Sequence, residues 1–139
     1  MGVDEPAFAM RERVAFGAII IELHGEIDIL AEQRLRPRVD ALTERFRADI
    51  VIDLRRVTFL DASGLRLLLR ARHRMICRGG RLRLVRGVPQ VSKVMRIAGV
   101  DGGFTFVDTL PSAASAASAA SAAAARAEEA GPRDGSVPA

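Results

Sequence analysis

A predicted strand and a predicted helix follow each other in the middle of the chain, and this unit constrains the fold more than any other feature. Residues 50–54 are a short, mostly β-branched run, Ile-Val-Ile-Asp-Leu, of the kind that fills a strand covered on both faces. Over residues 63–78, large apolar residues recur at helical spacing. The unit predicts an α/β protein with a mostly parallel sheet.

The junction between this strand and helix places a small hydroxyl group at a polar position. Ser63 falls in the first helical turn, close to unpaired backbone N–H groups and to the positive end of the helix dipole. It therefore either caps the helix or carries chemistry. Asp61 is a second candidate for the cap. Gly64 has no Cβ, and we expect this to leave the Ser63 hydroxyl open to another molecule.

The alternation of strands and helices continues on both sides of the unit, which favours right-handed crossovers in one sheet. Pro37 lies inside a helical series of apolar residues (30, 35, 39, 42 and 46), so this helix should kink or begin late. The expected elements are an edge strand from about Phe8, a strand over 14–23 with a possible turn or bulge at Gly17-Ala18, a helix capped by Asp28, the 50–54 and 63–78 unit, a helix stop at Gly79-Gly80, a strand over 81–86, a helix from Pro89 to before Gly99, and a strand over 104–107.

Composition divides the chain into two parts. Residues 1–110 have the apolar content of one domain with a modest core. Beyond Pro111, serine recurs every third residue in alanine, and this period forms no apolar stripe. Segment 111–139 is therefore expected to be an Ala/Ser-rich low-complexity tail, partly helical or disordered.

Composition also disfavours several classes of function. No run reaches the roughly 18 apolar residues that a membrane span needs, and no signal peptide is recognisable. Cys77 is the only cysteine, so we expect a reducing compartment and a cytoplasmic location. The net charge of +4 would suit an acidic partner. However, Trp and Tyr are absent and the arginines are mixed with acids, so we expect no direct binding of nucleic acid.

Several polar residues are predicted to meet at one edge of the sheet. In an open α/β sheet, ligands and partners contact the loops at the carboxyl ends of the strands. Two predicted loops, over residues 25–28 and 59–64, lie at such ends. If their strands are neighbours, the residues gathered there are Glu26, Asp28, Asp61 and Ser63.

These loops carry a resemblance to a known family. The sequence G-E-I-D at 25–28 followed by a helix, V-I-D-L at 51–54 and F-L-D-A-S-G-L at 59–65 resembles a STAS domain, and more narrowly the bacterial anti-sigma factor antagonists. The match runs from about Phe8 to Leu110, and D-x-S-G-L is its most specific part. The resemblance implies the STAS fold, a mostly parallel sheet of four to five strands with an antiparallel edge strand and helices packed on it.

The resemblance also implies a function. Relatives are non-enzymatic regulators whose serine, aligned with Ser63, is phosphorylated by an anti-sigma factor that is also an ATP-dependent serine kinase of the GHKL type. The unmodified form binds this partner and so frees the sigma factor, the phosphorylated form releases the partner, and a PP2C-type phosphatase resets the system. Neither a cofactor nor a metal is implied. The implied contact residues are Glu26, Asp28, Asp61, Ala62, Ser63, Gly64 and Arg66.

The chain departs from its relatives in two places. Ala62 stands where many relatives have a second serine, which leaves Ser63 as the sole hydroxyl in this loop. Relatives also tend to end in an amphipathic helix, whereas alanine repeats replace its apolar positions here. The resemblance is therefore carried by the loops and not by the tail.

Other side chains have simpler interpretations. Arg66 and Arg70 lie one and two turns from Ser63 and are candidates to hold a phosphate there. Together with Arg74 and Arg78, they are more simply a solvated helix face. The remaining candidates are Asp53 as a satisfied polar group, Cys77 as a small core or boundary residue, and His24 and His73, which have no second metal ligand at a recognisable spacing.

Other functions stay open beside the phosphorylated regulator. A STAS subunit without phosphotransfer would act as a scaffold in a signalling or lipid-transport assembly. The family also permits a nucleotide-binding module, but no glycine-rich phosphate loop is present. A hydrolase is disfavoured because the chain has no G-x-S-x-G elbow and no third member for a triad with His24 and a serine.

Overall fold

A computed structural model describes residues 7–112 as one five-stranded sheet with three α-helices. The strand order follows the chain; the first pair of strands is antiparallel and the other pairs are parallel. This arrangement confirms the predicted fold. Its elements are β1 (Phe8–Ala15), β2 (Ala18–Ile27), α1 (Ile29–Thr43), β3 (Asp49–Leu60), α2 (Ala62–Cys77), β4 (Arg81–Val85), α3 (Pro89–Ile97), a 3₁₀ turn (Asp101–Gly103) and β5 (Phe106–Val107).

The first two strands form a hairpin. Of the turn and the bulge predicted as alternatives at Gly17-Ala18, the turn is confirmed one residue earlier, and the single continuous strand over 14–23 is wrong. The turn consists of Phe16 and Gly17, with φ of 51° and 79°, and Ala15 pairs with Ala18 across it. Two positive φ values in a two-residue turn match the twist of antiparallel strands. The glycine therefore marks a reversal of the chain and not a bulge within one strand.

All three helices contribute to one hydrophobic core. Right-handed crossovers between parallel neighbours explain this, because they place successive helices on the same side of the sheet. A smaller apolar cluster of Ala18, Ile20, Val51 and Val85 belongs to the other face, since successive strand residues point to opposite faces. The large fully buried side chains are Ile20, Ile21, Leu23, Ile27, Ile50, Ile52, Leu54, Leu67, Leu68, Met75, Leu84 and Met95.

Helix α1 begins at Ile29, so a late start at Pro37 is wrong. Pro37 lies inside the helix on its exposed side, where it lacks the N–H that would bond to the carbonyl of Gln33. Buried side chains at positions 35, 39 and 42 anchor the helix to the core despite this loss. Phe46 falls after the helix and is 76% exposed, so it does not extend the apolar series.

Strand β3 is longer than predicted, and its length changes the junction with α2. Phe59 and Leu60 belong to the strand, so the loop predicted over 59–64 is reduced to Asp61 alone. Helix α2 ends as predicted, with Gly79 at φ 66°. At Gly80, an added Cβ would lie 2.7 Å from the carbonyl oxygen of Ala48, so the close contact there requires glycine.

The boundary predicted at residue 110 stays a prediction, because residues 113–139 of the expected tail lie outside the described part of the chain. Within residues 7–112, no helix is both long enough and apolar enough to cross a membrane.

Candidate functional site

The two acidic loops lie side by side, as the topology predicted. Strands β2 and β3 are parallel neighbours, and Ile27 pairs with Leu60 at their carboxyl ends. One residue later in each strand come Asp28 and Asp61, which are the N-caps of α1 and α2. The edge of the sheet therefore carries two adjacent helix N-termini, each with an aspartate.

Asp61 is the cap of α2, and Ser63 is not. The Oδ1 atom of Asp61 accepts hydrogen bonds from the backbone N–H groups of Ser63 at 2.8 Å and of Gly64 at 3.1 Å. Asp28 acts in the same way on α1, where it accepts from the Ala31 N–H at 3.1 Å. Ser63 is the second residue of α2 and is left free of the capping role.

The Ser63 hydroxyl is not open to solvent, which corrects the prediction made from Gly64. Ser63 is only 6% exposed, and its Oγ accepts a hydrogen bond from Nη2 of Arg66 at 2.9 Å. The two residues are three positions apart on one helix, so their side chains lie on the same face. The Ser63 hydroxyl is therefore engaged by the Arg66 side chain, which is itself exposed.

Gly64 has a different role from the one predicted. A Cβ added at this position would lie 2.5 Å from the carbonyl oxygen of Ile27 and 2.4 Å from Cδ1 of Leu60. Real Cβ atoms do not approach backbone oxygens this closely. Glycine therefore lets the first turn of α2 pack directly on the ends of β2 and β3, and this contact fixes the position of Ser63.

Three exposed apolar side chains lie at this edge, and they were not predicted from the sequence. Ile29 is 57% exposed, Leu30 44% and Phe59 47%, although Leu30 was assigned to the apolar series of the helix. Glu26 pairs with Phe59 in the sheet, and both are exposed, as is Ala62 at the first position of α2. Apolar side chains exposed together at a rim of this kind are typical of interaction surfaces. In the sequence, Ile29 and Leu30 directly follow the cap Asp28, and Phe59 comes two residues before the cap Asp61. This proximity to the caps is the feature that could have indicated their exposure at the edge.

The other arginines of α2 are not a simple solvated face. Arg70 makes two hydrogen bonds to the carboxylate of Asp40 on α1, at 2.7 and 2.8 Å. Arg74 donates to Oγ1 of Thr43 and to the carbonyl oxygen of Asp40, both at 2.9 Å, and Arg78 donates to a carbonyl after α1. The hydrogen bond from Arg70 lowers the pKa of Asp40. These arginines bridge α2 to α1, and Arg66 alone of the four contacts Ser63.

Asp53 is a satisfied polar group, as predicted. Its side chain is 1% exposed and accepts hydrogen bonds from the backbone N–H, Nε and Nη2 of Arg55 at 2.9–3.0 Å. Burial raises the pKa of this carboxyl, but the hydrogen bonds from Arg55 outweigh burial, and the pKa lies below its ordinary value. Asp53 therefore belongs to the structure of the sheet and not to the candidate site.

The cysteine and the histidines do not form a site with the residues above. Cys77 is exposed, so its prediction as a core or boundary residue is wrong. Its Sγ lies 3.6 Å from Nε2 of His73, one helical turn away, and His24 contacts the carboxylate of Glu22. Within residues 7–112, no group of three or more His, Cys, Asp and Glu side chains is arranged to hold a metal ion.

Comparison with known proteins places this arrangement in a family. The sequence model of the STAS domain matches residues 9–113, and the chain therefore belongs to the STAS domain family. A comparison of the sequence with curated proteins finds no match. The family and the fold agree with the sheet order and helix packing described above.

Solved structures of anti-sigma factor antagonists share the fold. One from Mycobacterium paratuberculosis matches with a TM-score of 0.66 at 23% identity, over 81% of this chain and 92% of that one. SpoIIAA in its unphosphorylated form matches with a TM-score of 0.61 at 25% identity, over 71% and 88%. Bacillus SpoIIAA in its phosphorylated form matches with a TM-score of 0.57 at 24% identity, over 71% and 91%.

Proposed function

We propose that this protein is an anti-sigma factor antagonist switched at Ser63. In its unphosphorylated form it binds an anti-sigma factor that is also a serine kinase of the GHKL ATPase type, and this binding releases a sigma factor. Phosphorylation of Ser63 ends the binding, and a PP2C-type phosphatase restores it. The protein itself acts by binding, without catalysis or a cofactor, in the regulation of transcription and in the cytoplasm.

The observation that carries the proposal is the position of Ser63. It lies in the first turn of α2, at the edge where both caps meet, and it has no capping task of its own. The rim beside it exposes Ile29, Leu30 and Phe59, which offer apolar area to a partner. The likeness to SpoIIAA, which was solved in unphosphorylated and phosphorylated forms, supports the same conclusion.

The electrostatics of the edge explain how a phosphate would end binding. A phosphate adds about −1.5 to −2 charges and three acceptor oxygens. It would arrive beside the Asp61 carboxylate, which already accepts the N–H groups of Ser63 and Gly64. Like charges that lose water together in an interface cost several kcal/mol, and a 100-fold loss of affinity needs only about 2.7 kcal/mol.

The test is phosphoryl transfer from ATP in the presence of candidate anti-sigma kinases, with the modified residue mapped by mass spectrometry. We expect phosphate on Ser63 and none on a Ser63→Ala variant, and Ser63→Ala should bind the kinase constitutively while Ser63→Asp binds poorly. Ser92→Ala on α3 is the matched control and should be modified like the wild type. Phosphate at another residue, or binding that Ser63→Asp leaves unchanged, would refute the proposal.

One observation favours a second candidate, a STAS scaffold subunit that binds its partner without phosphotransfer. Ser63 is nearly buried and its hydroxyl is hydrogen-bonded to Arg66, so this edge presents little of the hydroxyl to a phosphoryl donor. Under this alternative, Ser63→Ala and wild type bind the same partner equally and no kinase modifies the chain. If a kinase binds this protein tightly and yet leaves Ser63 without phosphate after incubation with ATP, the result would favour the scaffold function.

A further inference from the structure

The Ser63 hydroxyl is hydrogen-bonded to a cationic side chain of the same protein, Arg66. Nη2 of Arg66 donates to Oγ at 2.9 Å, and the guanidinium has further N–H donors in a planar fork. Within the part of the chain that the structure describes, Arg66 makes no ion pair with a carboxylate. Its charge is therefore available to an anion that forms at Oγ.

Three backbone N–H groups at this helix end are already engaged. The N–H groups of Ser63 and Gly64 donate to the carboxylate of Asp61, and the N–H of Leu65 donates to the carbonyl oxygen of Asp61. An anion on Ser63 would have to displace Asp61 to reach them. It would also face the negative charge of that carboxylate. The carboxylate of Asp61 therefore already occupies the place at this helix N-terminus where an anion would bind the N–H groups of Ser63 and Gly64.

The next cation on this face is also occupied. Arg70, one turn beyond Arg66, holds the carboxylate of Asp40 with two hydrogen bonds. Reaching toward Ser63 would break this pair between α1 and α2. Of the two arginines that the sequence offered, the structure leaves only Arg66 in position.

We propose that Arg66 holds the phosphate of phosphorylated Ser63 and screens the Ser63 hydroxyl before modification. The inference rests on phosphorylation of Ser63, which is part of the proposed function. In that step the bond from Oγ to the γ-phosphorus of ATP forms, the bond from that phosphorus to the bridging oxygen of ADP breaks, and the hydroxyl proton leaves to a base or to water. The guanidinium then exchanges one neutral acceptor for charged phosphate oxygens, which form stronger hydrogen bonds.

In this arrangement a residue of the protein itself, Arg66, influences both the modification of Ser63 and the state that follows it. Before modification, Arg66 has to leave Oγ for a phosphoryl donor to approach. After modification, the same side chain neutralises part of the new charge, which would otherwise repel Asp61. Arg66 is thus a positioning residue for both states of Ser63.

The test uses full-length protein with phosphoserine installed at position 63 during translation, so that no kinase is needed. The second ionisation of the phosphate is followed by ³¹P NMR between pH 4 and 9. A bound guanidinium favours the dianion, so we expect Arg66→Gln to raise this phosphate pKa by about 0.5–1 unit and Arg66→Lys to raise it less. Arg70→Gln removes the same charge one turn further away and should leave the value unchanged.

Two results would overturn the inference: a phosphate pKa in Arg66→Gln equal to that of the wild type, or an equal rise in Arg70→Gln. Thermal unfolding of the unphosphorylated variants checks that each is folded, and the exposed Arg66 should tolerate glutamine. The NMR titration and the thermal unfolding are both carried out without the anti-sigma partner. A partner that binds both forms of Ser63 equally would therefore refute the proposed function and leave the NMR result standing.

Discussion

Substituting Gly64 by alanine should destabilise the protein, although Gly64 lies in a helix where alanine is the better helix former. The new Cβ would lie 2.5 Å from the carbonyl oxygen of Ile27 and 2.4 Å from Cδ1 of Leu60. The leucine methyl can rotate away, but the carbonyl belongs to the backbone of β2, so the first turn of α2 has to move. Overpacking of this kind costs about 1–3 kcal/mol, and the gain in helix propensity returns up to about 1 kcal/mol.

Because the contact at 2.5 Å is with backbone, we place the overpacking in the upper half of its range. We therefore expect a net loss of about 1–2 kcal/mol, which corresponds to a fall in melting temperature of about 3–9 °C for a domain of this size. The chain contains neither Trp nor Tyr, so urea unfolding is best followed by circular dichroism. Gly102→Ala is the control, because a Cβ there meets nothing within 4 Å, and it should change stability by less than about 0.5 kcal/mol. A Gly64→Ala variant as stable as the wild type would refute the close-packing explanation of the site.

Three further predictions concern the carboxylates. Asp61→Ala removes the acceptor of two N–H groups of α2 and should cost about 1 kcal/mol in urea unfolding, whereas Asp61→Asn, a good cap, should cost less. Asp53→Ala leaves Arg55 without its buried partner and should cost about 1–2 kcal/mol; a loss below about 0.3 kcal/mol would contradict its structural role. The pKa values of Asp53 and Asp40 are lowered by folding, so their contribution is complete above the unfolded pKa and is lost as pH falls below about 4. Thermal unfolding from pH 6 to 2 should show a shallower acid loss in Asp40→Asn than in the wild type, and equal slopes would contradict the Asp40–Arg70 pairing.

The fold was accessible from the sequence because its signals are local. The β-branched run of β3, the aspartate caps and the glycine stop after α2 each specify their own element. The sequence did not decide between a turn and a bulge at the end of β1, because Phe16-Gly17 lacks the usual Asn-Gly or Asp-Gly signature and apolar residues continue across it. A non-glycine residue at positive φ is not visible in a pattern of hydrophobicity.

The details of the site depend on contacts between distant residues, and these the sequence could not provide. Arg70 and Asp40 are 30 residues apart, so their pairing needed the packing of α2 on α1. The hydrogen bond on the Ser63 hydroxyl depends on the conformation of the Arg66 side chain, and the role of Gly64 depends on its contact with the end of β2. The prediction that Asp28 and Asp61 lie close together needed only the order of the strands. The parallel pairing of β2 with β3 confirms it.

The central claim is that a phosphate on Ser63 decides whether the anti-sigma partner binds. The most direct measurement compares the affinity of that partner for two full-length proteins that differ only in the phosphate at Ser63, by titration calorimetry at physiological salt. The account predicts that the phosphorylated protein binds at least about 100-fold more weakly, a difference of about 2.7 kcal/mol. Equal affinities for the two forms would contradict it.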